Sequence, residues 1–554
     1  MRSIPLGVVS LIVFATVAIY GMRLVEPTTT YDFAAAKGSA FKVFLTYFFM
    51  KRALVGMFAA LFHDFSPFWN SAIGLFCLFV SACLMWVLIR RLHFSRQIAT
   101  LGAVAFLSTP FFFNNSIYQH AMPAGCMGFC FDAVALLSFV ELREKGALGW
   151  SFFLMASVSS ALATCIYQAH AGLLLTGMFG VCALDPREKW RDLFIDIWRV
   201  ISILGFACAI WAIVSFGPEV ILMLIGYKIP HSGGCHDTIY WFTGVHPFIT
   251  NLKALIVGFI LNWGYNAFFI WGLRCVIALL LFFAVVIVLL FFKRRVIFGG
   301  YVFLFIISIF ALPVLQGSVA NLRTHYCLIV FLCFGFILAL KILMARTVLK
   351  KISAALIVYF MIELGHETST LYYYNWKVKH HDEMHMAVIA HDLWSKYGKD
   401  IQKPVAIIGG WKRVSTCWED MRPFRELPLI NHPFTTYSNV NECNVPREFY
   451  MVAREKVGLV VRMPDRVVRE NIHLPKDCPE YPSPGYIYET NGVIVVNLGG
   501  DLSPWTRFEY ENYLSPNEKL LDRTLHCGGL DASLYRLTEP FRALLRKYPW
   551  SVEF

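Results

Sequence analysis

Apolar stretches long enough to cross a membrane recur from the start of the chain to about residue 365. About eleven such runs lie near 4–22, 68–90, 97–113, 121–141, 149–167, 169–184, 196–217, 268–292, 296–315, 326–345 and 352–365. The chain is 57% hydrophobic and 16% charged, whereas soluble domains carry about 25% charged residues. The sequence therefore predicts a polytopic α-helical membrane protein with about 11 transmembrane helices.

The first run and two weaker segments need separate interpretation. The first run, IPLGVVSLIVFATVAIYGM, exceeds the apolar core of a usual secretory signal, and no A-x-A cleavage site follows it. We expect it to be a retained transmembrane helix. Segments 39–62 and 248–262 are apolar but contain lysine or arginine, which favours helices lying at the membrane surface.

Lysine and arginine mark one side of the membrane. They concentrate in RRLHFSRQ (90–97), ELREKG (141–146), DPREKWRD (185–192), FKRR (292–295) and residues 341–351, while the loops between are poor in both. Cytoplasmic loops carry such an excess, so we expect a cytoplasmic N-terminus and an outer location for everything after residue 365. The net charge of +12 then reflects membrane topology, and we expect no nucleic-acid partner.

Residues 366–554 change composition and predict an α/β domain outside the membrane, after a membrane domain that covers residues 1–365. An amphipathic helix is predicted over 372–400. Strands are predicted over 404–410, 457–463 and 486–500, the last as a hairpin around TNG. Cys417, Cys443, Cys478 and Cys527 would form one or two disulfides in an oxidising compartment. The histidines of HHDEMHMAVIAH favour a solvated helix face over a metal site.

The first outer loop contains a carboxylate close to cations. Asp32 can act as a general base if a dry boundary raises its proton affinity, and Lys37, Lys51 and Arg52 can hold a phosphate. The alternatives are a solvated loop for Asp32 and side chains that reach the lipid headgroups for Lys51 and Arg52.

Two short outer loops share one pattern, a Tyr-Gln pair and a histidine at the membrane surface. They contain Tyr118, Gln119 and His120, and Tyr167, Gln168 and His170. Amides and phenolic hydroxyls suit sugar hydroxyl groups, although an interfacial belt of aromatic residues gives the same pattern.

Further polar residues lie in the later outer loops. Asp237 lies among histidines and a cysteine whose spacing matches no closed zinc site. Arg323 lies at the outer mouth of a helix, where a phosphate would explain it. Ionisable residues at mid-helix are scarce, Asp132 and Arg274 being the main ones. We interpret Asp132 as a hydrogen-bonded structural residue, and the scarcity disfavours a transporter.

The order of these features resembles the serotype-converting O-antigen glucosyltransferases of bacteria and their phages, which are polytopic enzymes of the GT-C class. The resembling stretches are YDF (31–33), FFMKRALVGMFAALFHDFSPFW (48–69), TPFFFNNSIYQHAMPAGCMG (109–128), SSALATCIYQAHAGLLLTG (159–177) and ANLRTHYCLIVFL (320–332). They cover the membrane part of the chain, and the tail shares no such stretch.

This resemblance implies an enzyme of the bacterial inner membrane with its C-terminal domain in the periplasm. The donor would be undecaprenyl-phosphate glucose, the acceptor a lipid-linked O-antigen or similar glycan, and no metal or other cofactor would be needed. A flippase and a synthase would supply the donor.

The resemblance also assigns roles to residues. Asp32 would be the catalytic base, and Arg52 and Arg323, supported by Lys51 and Lys37, would bind the donor phosphate. Sugar and acceptor hydroxyls would be held by Tyr167, Gln168, Tyr118, Gln119, His120 and Asp237. Two other functions stay open at this point: another lipid-linked transferase or an O-antigen polymerase, and a flippase or transporter of a lipid-linked glycan.

Overall fold

The computed structural model describes a large part of the chain. The described residues are 4–25, 40, 44, 52–61, 67–109, 122–224, 296–311, 326–343, 347–408, 449–450, 452–462 and 478–498. The chain divides into two compact units, Met1–Tyr372 and Tyr373–Phe554. We name the first the membrane unit and the second the tail unit.

The described part of the membrane unit is helical. In chain order the helices are α1 (Leu6–Tyr20), α2 (Met22–Val25), α3 (Ala53–Leu61), α4 (Pro67–Arg91), α5 (Arg96–Ser108), α6 (Met122–Lys145), α7 (Trp150–Ile166), α8 (Ala169–Leu184), α9 (Trp190–Leu224), α10 (Val296–Ser308), α11 (Cys327–Leu343) and α12 (Thr347–Tyr397). Each predicted span overlaps one of these helices except 268–292, which lies outside the described residues, as does the predicted surface segment 248–262.

Spanning character is clearest in three helices. Phe68–Arg91, Met122–Lys145 and Trp190–Gly217 are long and apolar enough to cross a membrane, and shorter apolar helices of 10–17 residues accompany them in the described part of the chain. On α9, Trp198 and Ile213 are each 70% exposed, as side chains that face lipid would be. The chain is therefore a membrane protein.

Aromatic side chains fill the core of the membrane unit. Helix α6 packs against α4 and α7, and α8 packs against α10 and α11. Phe129 and Phe139 of α6 are buried, as are Phe305 of α10 and Phe334 of α11. These helices have almost no polar face, so close packing of large and small apolar side chains sets their arrangement.

A buried ionic network joins helix ends that carry the predicted basic loops. The Arg143 guanidinium on α6 donates to Asp196 of α9 through Nε (3.1 Å) and Nη2 (3.0 Å), and to the Asp185 carboxylate through Nη1 (3.3 Å). Tyr301 of α10 donates its hydroxyl to Asp196 at 3.1 Å, and Arg199 lies 3.4 Å from the other oxygen of that carboxylate. We name these five residues the basic end.

Neighbouring contacts bring further basic loops to the same end. Arg91 of α4 lies 3.4 Å from Glu141 of α6, and Lys341 of α11 donates to the carbonyl of Leu184. The structure thus places loops 90–97, 141–146 and 185–192 together, as the charge pattern predicts, and leaves FKRR outside the described residues.

The described tail unit combines the C-terminal part of α12 with a small sheet. The strands are β1 (Val405–Ile408), β2 (Ile487–Thr490) and β3 (Val493–Asn497), in the order β1-β3-β2. β1 is parallel to β3, and β2 and β3 form an antiparallel hairpin. Its turn residues Asn491 (φ 50°) and Gly492 (φ 75°) both take the left-handed backbone that a two-residue Asn-Gly turn requires.

Two predictions for the tail need correction. Residues 352–365 and 372–400 were expected in separate helices, but a single unbroken helix, α12, covers the first segment and the second as far as Tyr397. The predicted strand 457–463 is wrong over its described residues, 457–462: Gly458, at φ 72°, ends a helical turn, and of these residues only Arg462 forms a bridge, with Pro404.

Polar contacts fasten residues 481–486 to α12. The Tyr486 hydroxyl donates to Asp392 at 2.6 Å, and His385 Nδ1 lies 2.8 Å from the Tyr481 hydroxyl. Burial, and then the Asp392 carboxylate, raise the pKa of Tyr486, so that its hydroxyl stays protonated as a donor. The prediction of a solvated histidine face holds for His391, which is exposed, but His385 is part of this contact.

Candidate active site

The IYQAH stretch forms a tight junction between two helices whose ends at this point are buried. Helix α7 ends at Ile166 and α8 begins at Ala169, so only Tyr167 and Gln168 connect them. Tyr167 has extended backbone (φ −156°, ψ 129°), and its N–H donates to the carbonyl of Ala163 at 3.1 Å. This single extended residue breaks the helix and fixes the position from which the Tyr167 side chain projects.

Arg52 lies over the ring of Tyr167. Its guanidinium carbon is 4.6 Å from the ring centroid, within the range of a cation–π contact. The carbonyl of Arg52 accepts a hydrogen bond from the N–H of Gly56 (3.0 Å), which places Arg52 at the start of α3. Within the described residues, its guanidinium meets this ring and no carboxylate. The structure therefore brings together two residues that the sequence proposed for one site.

Tyr326 extends this aromatic surface and was missed by the sequence analysis. It directly precedes α11 and is 1% exposed. Its ring centroid lies 5.7 Å from that of Tyr167, 5.0 Å from that of His170 and 5.1 Å from that of Phe129. The available signal was its place in the sequence, three residues after Arg323 and at the start of the apolar run 326–345.

A buried polar pair lies among these rings. His170 Nδ1 of α8 is 2.6 Å from Asp132 Oδ2 of α6, and the two residues are 0% and 2% exposed. Asp132 is thus hydrogen-bonded, as its interpretation from sequence required. We name Arg52, Tyr167, Tyr326, His170 and Asp132 the junction end.

Other sequence-predicted site residues cannot be placed. Those outside the described residues are Asp32, Lys37, Lys51, Tyr118, Gln119, His120, Asp237 and Arg323. Gln168 is described, half-buried, beside Tyr167 in the junction. The cysteines Cys417, Cys443 and Cys527 of the disulfide prediction also lie outside the described residues.

The junction end has the chemistry of a site for a phosphorylated sugar. A guanidinium presents several N–H donors in a planar fork that matches two phosphate oxygens. Tyr167 and Gln168 offer a hydroxyl and an amide beside it, groups that can exchange hydrogen bonds with sugar hydroxyls. The Tyr167 and Tyr326 side chains are buried, and a low-dielectric surrounding of this kind strengthens the attraction between a cation and an anion.

Comparison with known proteins gives one family match. A family model described as "Glucosyl transferase GtrII" matches residues 49–340. The matched range is more than half of the chain, includes all five residues of the junction end, and begins after Asp32. No curated protein matches this chain.

Two solved structures are similar to the chain, both of the oligosaccharyltransferase of Archaeoglobus fulgidus. One is tethered to an acceptor peptide that contains the NVT sequon, and the other is the apo form. Sequence identity is 12% in both, and the TM-scores are 0.36 and 0.35. Each match covers 82% of this chain and 68% of the other.

Proposed function

Because this chain belongs to the GtrII glucosyl transferase family and is a membrane glycosyltransferase, we propose that it moves glucose from a polyprenyl-phosphate donor to a lipid-linked O-antigen or similar surface glycan. The observation that carries the proposal is the Arg52 guanidinium over the Tyr167 ring, at a helix junction next to Tyr326. It supplies a cation for the phosphate and an aromatic surface for the sugar in one place.

A lipid donor suits a site at the end of a helical membrane unit. The polyprenyl chain would stay in the bilayer, and the phosphate and sugar would meet the junction end at the membrane surface. Arg52 would form a bidentate contact with the phosphate, which is the leaving group and gains charge in the transition state. Arg323, three residues before Tyr326 in the sequence, is proposed as a second cation, with Lys51 and Lys37 in support.

The reaction proposed is a single displacement with inversion. The acceptor hydroxyl oxygen attacks the anomeric carbon, its proton passes to Asp32, and the bond from the anomeric carbon to the phosphate oxygen breaks. The polyprenyl phosphate leaves with the bonding electron pair. Arg52 lowers the barrier by neutralising that charge, and the reaction then needs no metal or other cofactor.

Sugar recognition is proposed for residues at the junctions between helices. Tyr167 and Gln168 would hold sugar hydroxyls. The residues Tyr118, Gln119, His120 and Asp237 are proposed to complete the donor and acceptor sites. These roles rest on residue type and position along the chain.

The proposed location is the bacterial inner membrane, with the junction end on the periplasmic face. Loops rich in lysine and arginine stay in the cytoplasm. Arg143, Arg91 and Lys341 lie near those ends of their helices that are farther from Tyr167. The tail would then be periplasmic, and a synthase and a flippase would deliver the donor.

Mass spectrometry of the surface glycan tests this function. Cells that carry the gene should add one hexose per glycan repeat, and cells without the gene or with Asp32→Asn should lack it. Activity that survives a chelator would agree with the metal-free reaction. An unchanged glycan in cells with wild-type protein in the membrane would reject the proposal.

A further inference from the structure

The buried pair Asp132–His170 lies directly behind the residues proposed to bind the donor. Both residues are within the membrane unit, on α6 and α8, and almost no solvent reaches them. A polar pair in such a place is costly, and exchange for apolar residues of similar volume is often neutral or stabilising. The pair therefore calls for a role beyond holding two helices together.

Within the described residues, the hydrogen bonding of the pair is only half complete. Asp132 Oδ1 and His170 Nε2 are buried and have no hydrogen-bond partner in the part of the chain that the structure describes. By contrast, all three guanidinium nitrogens of Arg143 at the basic end are hydrogen-bonded. A pair retained only for stability would be expected to use its polar atoms as fully as the Arg143 network does.

Contacts of His170 lead to Arg52 in three steps. The His170 ring packs edge-on against Tyr326, Tyr326 packs edge-on against Tyr167, and Tyr167 lies under the Arg52 guanidinium. The backbone N–H of His170 also donates to the carbonyl of Tyr167 at 3.0 Å. The Asp132 hydrogen bond fixes the rotation of the His170 ring and hence the surface that Tyr326 meets.

Helix α6 is shaped to admit the His170 ring. A Cβ atom placed on Gly128 would lie 2.5 Å from His170 Nε2, closer than real side chains approach. Glycine at this position lets the ring lie flush against α6, where Asp132 can reach it. The position of the His170 ring is therefore fixed both by its hydrogen bond to Asp132 and by the space beside Gly128.

We infer that Asp132 and His170 are positioning residues of the donor site: through Tyr326 and Tyr167 they hold the Arg52 guanidinium in place for the donor phosphate. The inference rests on the proposed function. It predicts that loss of the pair weakens use of the donor while the membrane unit stays folded and use of the acceptor stays normal.

The test compares two variants of purified full-length protein in detergent. Asp132→Ala combined with His170→Leu removes the pair and keeps the total side-chain volume close to wild type. We expect the melting temperature to stay near that of wild type and kcat/KM for polyprenyl-phosphate glucose to fall about 10–100-fold through a higher donor KM. Asp132→Asn keeps an acceptor for His170 Nδ1, so the donor KM of this variant should lie close to that of wild type.

A matched pair of glycine variants tests the same point without removing a polar group. Gly128→Ala should displace the His170 ring and raise the donor KM. Gly177→Ala alters the same α6–α8 contact, since its Cβ would lie 2.9 Å from a methyl carbon of Leu136, but it leaves His170 untouched. Gly177→Ala should therefore leave the donor KM unchanged.

The outcomes separate the inference from the proposed function. A merely structural pair would lower kcat and the amount of folded protein and leave both KM values unchanged, which would overturn the inference. If wild-type protein transfers no glucose, the proposed function fails. Thermal stabilisation by undecaprenyl phosphate then decides the inference: its loss in the Asp132→Ala, His170→Leu double variant supports it, and equal stabilisation overturns it.

Discussion

At the basic end, Arg143 is 3% exposed and donates to two aspartates from all three of its guanidinium nitrogens. At the junction end, Arg52 is partly exposed, lies over the ring of Tyr167, and meets no carboxylate among the described residues. One arginine is neutralised by carboxylates, and the other has no carboxylate partner within the described residues. We expect the first to govern stability and the second to govern activity.

The two buried aspartates, Asp196 at the basic end and Asp132 at the junction end, show the same contrast. Asp196 receives hydrogen bonds on both oxygens, from Arg143, Tyr301 and Arg199. In the part of the chain that the structure describes, Asp132 receives one hydrogen bond on a single oxygen, from His170. The Asp196 network holds its geometry through several hydrogen bonds, whereas the position of the His170 ring depends on the one hydrogen bond to Asp132.

The largest expected effect is on stability at the basic end. Arg143→Met leaves the Asp196 carboxylate buried without its main partner, which should cost about 3–5 kcal/mol. The melting temperature in detergent and the yield of monodisperse protein should both fall sharply. Asp185→Asn is the control, because that side chain is 61% exposed and should matter little. An unchanged melting temperature for Arg143→Met would contradict the claim that the basic end governs stability.

The next effect is on activity at the junction end. Arg52→Gln removes the proposed phosphate cation, and glucose transfer should fall about 100-fold with no change in melting temperature. Arg52→Lys keeps the charge but loses the planar fork, so its activity should lie between those of Arg52→Gln and wild type. Full activity in Arg52→Gln would show that another cation holds the phosphate.

A smaller effect is expected from the ring beneath Arg52. Tyr167→Leu removes the cation–π contact, worth about 0.5–2 kcal/mol, and donor kcat/KM should fall roughly 2–30-fold. Tyr167→Phe keeps the ring and should lose less. Equal losses in both variants would assign the role of Tyr167 to its hydroxyl and remove the ring from the account.

The smallest effect is expected from Arg199, the second arginine of the basic end. Arg199 makes a single long contact, 3.4 Å from Asp196, and glutamine keeps an N–H donor, so Arg199→Gln should lower stability by only about 1 kcal/mol. It should leave glucose transfer at the wild-type level. It is therefore the matched arginine control for Arg52→Gln, and a large loss of activity in it would contradict the division of roles.

Sequence reasoning predicts best where one residue type has one physical meaning. Apolar runs give the described helices because the bilayer admits little else, and Asn491-Gly492 gives the hairpin turn because both residues must take positive φ. The continuous α12 was missed because a drop in hydropathy suggested a break near residue 365. No glycine or proline lies between 366 and 397 to end the helix there.

Contacts between distant parts of the chain could not be predicted from the sequence. Arg52 and Tyr167 were each proposed for the site, but their contact depends on how α3 packs, which no local pattern encodes. Tyr326 resembled the first residue of an apolar run, and His170 resembled an interfacial residue although it is fully buried. The family resemblance, in contrast, is confirmed by the match over residues 49–340.

The most direct test of the account is the choice of donor by purified wild-type protein. Labelled glucose should pass to a lipid-linked glycan from polyprenyl-phosphate glucose, with release of polyprenyl phosphate, and should not pass from UDP-glucose. Transfer from UDP-glucose, or no transfer from the lipid donor by folded protein, would contradict a junction end built to hold a lipid phosphate.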